Sequence, residues 1–210
     1  MTSDAATVVL ARHGRTVWNH ERRIQGWAPA PLDETGREQA RALGAHLAET
    51  YDVTRLVASD LRRTKETARL VNHALDVDVT FSRDWRERDF GVYQGMGYEA
   101  LFEGYPEFAV GETGIAAAET EPEGGETLLE ARDRVLTGWQ AVVDSLSPDE
   151  TVVVVTHGGP LYVLLGYLQD RDLVTALTEH SQDNCAVTEV RVDGGDPTVV
   201  REGDVGYREA

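Results

Sequence analysis

Two apolar runs, far apart along the chain, both end in His-Gly. The first run spans residues 8–11 and leads into Arg-His-Gly at 12–14, and the second spans residues 152–155 and leads into Thr-His-Gly at 156–158. Short apolar runs rich in valine predict buried strands of an α/β sheet. If the two strands are parallel neighbours, both imidazoles emerge at the carboxyl edge of the sheet, where such folds bind their ligands.

The segments between and after these runs alternate between helical and extended periodicity. Apolar residues at helical spacing predict helices at 37–50, 61–74, 126–145 and 161–167. Short or alternating apolar segments predict further strands at 55–58, 77–81, 186–192 and 198–201. The last two strands are expected to pair antiparallel around a turn. This order predicts an α/β fold with one sheet and helices on both of its faces.

One long segment, residues 95–125, fits neither period. It is rich in glycine and glutamate, has two prolines, and contains neither lysine nor arginine. We expect it to be a surface excursion that borders the site, a lid or substrate-specificity segment, with a short helix near residues 98–103. We find no internal repeat and no second domain, so the sequence predicts a single domain over residues 1–210.

The net charge of the chain bears on which partners it can bind and on the kind of cell it comes from. There are 37 acidic and 20 basic residues, a formal net charge of −17, and Lys65 is the one lysine. This balance argues against nucleic acid as a partner, because proteins that bind nucleic acid carry basic patches. Salt screens the self-repulsion of so many like charges, so the balance predicts a halophilic source. An ordinary acidic cytosolic protein is the alternative.

Targeting signals are missing from the sequence. No apolar run approaches the ~20 residues that a membrane helix needs, and the first residues form neither a basic region nor an apolar one. A single cysteine, Cys185, excludes an intrachain disulfide. We therefore expect a cytoplasmic protein with no membrane partner.

The polar residues expected at the carboxyl edge suit phosphoryl transfer. Arginine binds the oxygens of a phosphate monoester in a bidentate way and stays charged at any working pH. Arg12 is one such residue, and either Arg62 or Arg63 is the second, because one of these neighbours faces solvent on its helix. His157 adds a third donor when it is protonated. His13, with one ring nitrogen fixed by a backbone carbonyl, can present the other nitrogen to phosphorus.

The leaving alkoxide of such a reaction needs a proton. Glu87, one of many carboxylates in the chain, is the candidate acid, and it would then act as the base for the water that hydrolyses phosphohistidine. The arginines do what magnesium does in other phosphoryl-transfer sites, so we expect no metal and no cofactor. A zinc site built from His13, His157 and Glu87 is disfavoured because the nearby arginines would repel a cation.

These residues lie in motifs that resemble the histidine phosphatase superfamily, whose members are phosphoglycerate mutase-like. The motifs follow the family order from about residue 7 to residue 190: LARHGRTVWN (10–19), RIQGW (23–27), PL (31–32), SDLRRT (59–64), ERDFGVYQG (87–95), EGGET (123–127) and VTHGG (155–159). The resemblance covers nearly the whole chain and favours the phosphatase branch. It implies a three-layer α/β/α sandwich with a mostly parallel central sheet.

The resemblance also implies roles for individual residues. It makes His13 the phosphorylated nucleophile and Glu87 the proton donor. It places Arg12, Arg63 and His157 in the phosphate pocket. Residues implied to bind the substrate or to flank its phosphoryl oxygens are Thr16, Asn19, Gln25, Gly26 and Gly158.

Two positions depart from the family pattern. Arg15 stands where glutamate or glutamine is common, and Pro29 stands where aspartate is common. Arg15 is expected either to read a second anionic group of the substrate or to be a solvated side chain. Neither position touches the core chemistry, but both put substrate preferences taken from the family in doubt.

The sequence thus predicts a phosphomonoesterase that acts on a small phosphorylated metabolite. The alternative is a phosphoglycerate mutase, because the same pocket serves both reactions and residues 87–95 resemble mutases as much as phosphatases. A mutase has to keep water from its phosphohistidine. The mutases that this sequence resembles carry a long basic segment after the acid glutamate, and residues 95–125 carry no basic residue. A catalytically idle binding module is disfavoured by the intact set of site residues, and a homodimer is left open.

Overall fold

The sheet is the centre of the computed structural model, which describes residues 5–208. Within that range six strands form one sheet: β1 (Ala6–Arg12), β2 (Arg55–Ser59), β3 (Asp78–Ser82), β4 (Thr151–Thr156), β5 (Val187–Asp193) and β6 (Asp196–Asp204). The strand order is β3-β2-β4-β1-β5-β6. The first four of these are parallel, and β5 is antiparallel to both β1 and β6. The two His-Gly strands, β1 and β4, are thus parallel neighbours, which is the condition under which both imidazoles emerge at one edge.

Helices cover both faces of this sheet. They are α1 (Val17–His20), α2 (Glu34–Thr50), α3 (Arg62–Leu75), α4 (Tyr98–Gly104), α5 (Val110–Thr113), α6 (Ile115–Glu119), α7 (Leu128–Asp144), α8 (Gly158–Leu168) and α9 (Leu173–Glu179). Short 3₁₀ turns lie at Arg83–Trp85, Gly91–Tyr93, Pro106–Phe108 and Gly206–Arg208. In the described part of the chain, every helix is too short or too polar to cross a membrane.

Alternate side chains of the central strands face opposite layers. Val152 and Val154 of β4 pack with the apolar faces of α7 and α8, and Val153 and Val155 pack with those of α2 and α3. Every residue of β4 is buried, as expected of a parallel strand covered on both faces. Burying a valine side chain contributes about 1.5 kcal/mol or more to folding. The α/β fold with a mostly parallel sheet between two helical layers is confirmed.

The start of α8 differs from the prediction. The sequence predicts a helix over residues 161–167, after Pro160, but the helix begins at Gly158 and has His157 as its N-cap. Pro160 therefore lies in the first turn, where a missing backbone N–H costs no helical hydrogen bond. The earlier start aims the positive end of this helix at the carboxyl edge of the sheet.

The 95–125 segment is more ordered than a surface excursion with one short helix. It contains α4, α5 and α6, and Leu101 and Phe108 pack with Ile24 in a small apolar cluster of their own. Its first residues bond to the loop at 22–28 through the backbone, with Gly95 N donating to Ile24 O at 2.8 Å and Tyr98 N to Arg22 O at 2.7 Å. The segment is therefore packed at its base against the loop that follows α1.

Candidate active site

The two histidines meet at the carboxyl edge of the sheet. His13 follows β1 and His157 follows β4. Because these strands are paired in parallel, the two ring centroids lie 5.1 Å apart, with an angle of 61° between the ring planes. The backbone N–H of His13 donates to the carbonyl of Thr156 at 2.9 Å, which extends the ladder by one residue. Both side chains are buried. The strand pairing therefore fixes the relative position of the two imidazoles.

Arg63, in the first turn of α3, lies against both rings. Its Nε donates to Nε2 of His13 at 3.2 Å and to Nδ1 of His157 at 3.1 Å. The side chain is buried, whereas the neighbouring Arg62 is exposed. The choice between the two arginines, open on periodicity alone, falls on Arg63.

A loop after α1 orients the Arg63 guanidinium. Nη2 donates to the carbonyl of Gly26 at 2.8 Å, and Nη1 donates to the carbonyl of Ala28 at 3.3 Å. Gln94 holds this loop in turn, because its Oε1 accepts the backbone N–H groups of Trp27 and Ala28. The base of the 95–125 segment is thus joined to the arginine of the site.

Hydrogen bonds define the tautomer of each histidine. Nδ1 of His13 lies 2.8 Å from the carbonyl of Gly14, so it carries the proton and leaves the lone pair on Nε2. Nε2 of His157 lies 2.9 Å from Oγ of Ser59, which leaves Nδ1 to accept from Arg63. The sequence predicts the carbonyl partner of His13. It misses Ser59 as a contact of His157, although this polar residue ends β2 at the same edge.

Both imidazoles are held in their neutral form. Burial, together with the nearby charges of Arg63 and Arg12, lowers the pKa of His13 well below its ordinary value, against a smaller opposing effect of the Gly14 carbonyl. Burial and Arg63 lower the pKa of His157 in the same way. Burial also lowers the pKa of Arg63 to about 10, which still leaves its guanidinium charged at neutral pH.

The lowered histidine pKa values predict a loss of stability in weak acid. Because the unfolded chain binds these protons more readily, the free energy of unfolding should fall as the pH drops below the ordinary histidine pKa of about 6.5. For His13 the change should be on the order of 1 kcal/mol between about pH 7 and about pH 5. Thermal melts at several pH values should therefore show that the melting temperature of the wild-type chain falls more steeply with decreasing pH than that of His13→Asn. A matched His20→Asn variant of an exposed histidine should keep the wild-type slope, and equal slopes for all three proteins would contradict the expectation.

Glu87 lies at the same edge, opposite the first turn of α8. Its Oε2 accepts the backbone N–H of Gly159 at 3.2 Å, and its Oε1 accepts the N–H of Arg88 at 3.0 Å. A side chain at residue 159 would lie too close to this carboxylate, so a larger residue there would displace the Glu87 carboxylate from its present position. The Glu87 carboxylate is also close enough to Arg63 to oppose the lowering of its pKa.

Arg12 completes the positive side of the site. Its Nη1 donates to the carbonyl of Gln182 at 2.6 Å, while its buried Nε has no partner among the described residues. Asn184 donates from Nδ2 to the carbonyl of His13 at 2.9 Å. Gln182 and Asn184, which precede β5, are contacts that the sequence reasoning missed because no motif or period marks them.

The implied substrate-binding residues lie close to this cluster. Oγ1 of Thr16 lies 3.0 Å from Oδ1 of Asn19 and 3.0 Å from Oε1 of Gln25, within hydrogen-bonding distance of both. The carbonyl of Gly26 accepts a hydrogen bond from Arg63, and Gly158 is the first residue of α8, directly after His157. The structure brings these five residues to the edge that carries the histidines, and their contacts with a phosphoryl group stay a prediction.

Arg15 has protein partners. Its Nε donates to Asp33 at 2.8 Å and its Nη2 to Thr35 at 2.9 Å, at the start of α2. The Arg15 guanidinium is therefore bonded to side chains at the N-terminus of α2. These contacts do not favour a role in binding a second anionic group of the substrate. In the described chain, no three His, Cys, Asp or Glu side chains are grouped as a metal site requires.

Comparisons with known proteins agree with this geometry. The model of a family described as the histidine phosphatase superfamily (branch 1) matches residues 8–205. Phosphoglycerate mutase-like protein 4 of Arabidopsis thaliana is 34% identical over 212 residues, which cover 98% of this chain and 88% of that protein. The uncharacterized phosphatase PhoE of Bacillus subtilis is 33% identical over 166 residues, covering 79% of this chain and 78% of PhoE.

A solved structure extends the likeness to the fold. YhfR of Bacillus stearothermophilus superposes with a TM-score of 0.84 at 32% identity, covering 96% of this chain and 98% of YhfR. The family match spans nearly the whole of the chain, including both His-Gly strands. The chain belongs to branch 1 of the histidine phosphatase superfamily.

Proposed function

We propose that the chain is a phosphomonoesterase that hydrolyses a small phosphorylated metabolite through a phosphohistidine on His13. The observation that carries the proposal is the contact of one buried guanidinium, that of Arg63, with two neutral imidazoles. The lone pair on Nε2 of His13 supplies the nucleophile, and the guanidinium supplies the charge that a phosphoryl group needs. The Glu87 carboxyl group, at the same edge, supplies the proton for the leaving group.

The first step transfers the phosphoryl group to the enzyme. Nε2 of His13 forms a bond to phosphorus while the bond from phosphorus to the leaving oxygen breaks. The Glu87 carboxyl gives its proton to that oxygen, so the product departs as an alcohol. Arg12 and Arg63 hold the remaining oxygens, and His157 becomes a further donor when the dianion favours its protonated form.

The second step returns the enzyme to its starting state. Water attacks phosphorus and passes a proton to the Glu87 carboxylate, and the bond from phosphorus to Nε2 breaks with its electron pair returning to nitrogen. Inorganic phosphate is released. The carbonyl of Gly14, which accepts the Nδ1 proton at 2.8 Å, stabilises the positive ring of the phosphohistidine between the two steps.

The runner-up function is phosphoglycerate mutase, and the relatives are named for both activities. The 95–125 segment, which we take as the lid of the site, favours hydrolysis. It carries seven glutamates and no basic residue, so it offers no counter-charge to a bisphosphoglycerate or to the carboxylate of phosphoglycerate. Its base is tied to the loop that orients Arg63, and Arg88, next to Glu87, donates to the carbonyl of Thr120 at 2.8 Å.

We further infer that the enzyme works in the cytoplasm of a cell with high internal salt. A net charge of −17 on 210 residues repels itself strongly in dilute buffer, and molar salt shortens the reach of that repulsion to about 3 Å. Activity and thermal stability that rise from low to molar potassium chloride would support this inference, and a loss of both would contradict it.

An assay of the fate of the phosphoryl group tests the proposed function. With 3-phosphoglycerate, assayed with and without 2,3-bisphosphoglycerate, we expect release of inorganic phosphate at least about ten times faster than isomerisation, because water reaches the phosphohistidine. p-Nitrophenyl phosphate has no second hydroxyl to accept a phosphoryl group, so it measures hydrolysis alone. Isomerisation that is efficient and depends on bisphosphoglycerate would overturn the proposal in favour of the mutase. A panel of phosphorylated metabolites then identifies the substrate by the highest kcat/KM.

A further inference from the structure

The short segment that carries Glu87 is held by side chains rather than by regular secondary structure. Beyond the 3₁₀ turn Arg83–Trp85, the backbone at residues 86–90 belongs to neither helix nor strand. Every backbone carbonyl from residue 83 to residue 87 nevertheless accepts a hydrogen bond from a side chain. Those bonds therefore determine where the Glu87 backbone lies.

Four of the five carbonyls are bound by one residue, Arg134 of α7. Its Nη1 donates to the carbonyls of residues 83, 84 and 86 at 3.1, 2.9 and 2.9 Å, and its Nη2 donates to that of Glu87 at 3.3 Å. The Glu87 carbonyl also accepts from Nε1 of Trp27 at 2.8 Å, so Arg134 shares this one carbonyl with the loop after α1. The remaining carbonyl, that of Trp85, accepts from Thr156 of β4 at 2.7 Å. The Arg134 guanidinium thus joins most of the carbonyls of this segment to α7 by hydrogen bonds.

Arg134 is itself anchored. It pairs with Glu126, and the side chains are only 11% and 16% exposed. Glu126 also accepts the backbone N–H of Asp89 at 3.1 Å, two residues beyond Glu87. The Arg134–Glu126 pair therefore forms hydrogen bonds with the backbone on both sides of Glu87. In this position the Glu87 carboxylate faces the N-terminus of α8.

We propose that Arg134 is a positioning residue for the proton transfer made by Glu87. It touches no reacting atom in this arrangement. It acts by fixing the Glu87 backbone so that the carboxyl group lies where the leaving oxygen of the substrate departs. The inference rests on the proposed function, because it requires Glu87 to be the acid.

Dependence on the leaving group tests this role. p-Nitrophenolate leaves without help from an acid, whereas the alkoxide of glycerol phosphate needs a proton. Arg134→Gln and Arg134→Lys should lower kcat on glycerol phosphate by about 10²-fold and kcat on p-nitrophenyl phosphate by less than about 10-fold. Glu87→Gln should give the same selectivity with a larger loss. A merely structural defect lowers both rates together.

The control on the same helix is Arg132→Gln. Arg132 is 37% exposed, and its one ion pair within residues 5–208 is with its neighbour Asp133, so both rates should stay at the wild-type level. If Arg134→Gln fails to fold, as judged by circular dichroism, Arg134→Lys and Glu126→Gln are tested in its place, since each weakens the Arg134–Glu126 pair and its bonds to the segment.

The outcomes separate the two proposals. If Glu87→Gln lacks leaving-group selectivity, the proposed role of Glu87 fails, and the role of Arg134 fails with it. If Glu87→Gln is selective while the folded Arg134 and Glu126 variants are not, the positioning role alone is overturned. If all three of those variants unfold, Arg134 serves stability only and the inference is likewise overturned.

Discussion

Replacing His13 by alanine is expected to lower phosphate release by at least about 10⁴-fold, the scale seen when a covalent nucleophile is removed. The loss is expected because His13 is the residue proposed to form the bond to phosphorus, whereas His157, whose Nε2 is bonded to Ser59, is proposed to act as a donor. The variant should keep its fold, since alanine removes a side chain whose polar contacts lie within the site. Steady-state assays with p-nitrophenyl phosphate measure the loss.

Trapping of the intermediate makes this prediction specific. Acid-labile, base-stable labelling from a radioactive phosphate donor should be present in the wild-type chain and absent from His13→Ala. The matched control is His73→Ala, an exposed histidine near the end of α3, which should keep both label and rate. Label that persists in His13→Ala would place the phosphoryl group on another residue and end the proposed mechanism.

Arg63→Ala should weaken the binding of orthovanadate and of inorganic phosphate by about 10²-fold or more, and should lower kcat by a similar factor. The variant removes the guanidinium that contacts both rings, and it leaves the carbonyl of Gly26 without its Arg63 donor, while the carbonyl of Ala28 keeps its bond from the Ala30 N–H. The inhibition constant for vanadate measures the first effect, and kcat at saturating substrate measures the second.

The same variant should move the pH profile. After burial, the charge of Arg63 is the largest cause of the lowered pKa of His13 and of His157. Without it both pKa values should rise toward the ordinary histidine value, so the acidic limb of residual activity should shift to higher pH. Arg62→Ala, an exposed neighbour on the same helix, serves as the control. Unchanged vanadate binding in Arg63→Ala would contradict the assigned role.

The sheet and the two histidines could be predicted because their signals are local. An apolar run that ends in His-Gly predicts both a strand and the place where its polar residue emerges, and two such runs predict a shared edge. Periodicity could not separate Arg62 from Arg63, since adjacent helical positions differ by only about 100° in direction. The resemblance favoured Arg63, and its burial against the two rings agrees.

Contacts across long stretches of sequence could not be predicted. Ser59, Gln182 and Asn184 touch the histidines or Arg12 from separate parts of the chain, and no spacing rule links them to their partners. The internal packing of the 95–125 segment was missed for a related reason. Leu101 and Phe108 are buried in a cluster that includes Ile24 of another loop, and the glycine-rich composition of the segment gives no sign of such a cluster.

The bond from Gln94 to the loop at 26–28 has a bearing on how such a chain can change over generations. The histidines and arginines of the site lie at strand ends and helix starts, Glu87 lies on the irregular stretch at residues 86–90, and the 95–125 segment follows it between β3 and α7. If that segment is the proposed lid, mutations in it would alter the surface that meets the substrate while His13, Arg12 and Arg63 stay in place. Gln94, the residue just before this segment, is more constrained, because its side-chain Oε1 accepts from the loop whose backbone carbonyls orient Arg63. Residue 94 therefore marks the boundary between the part of the sequence that is free to diversify and the part that is not.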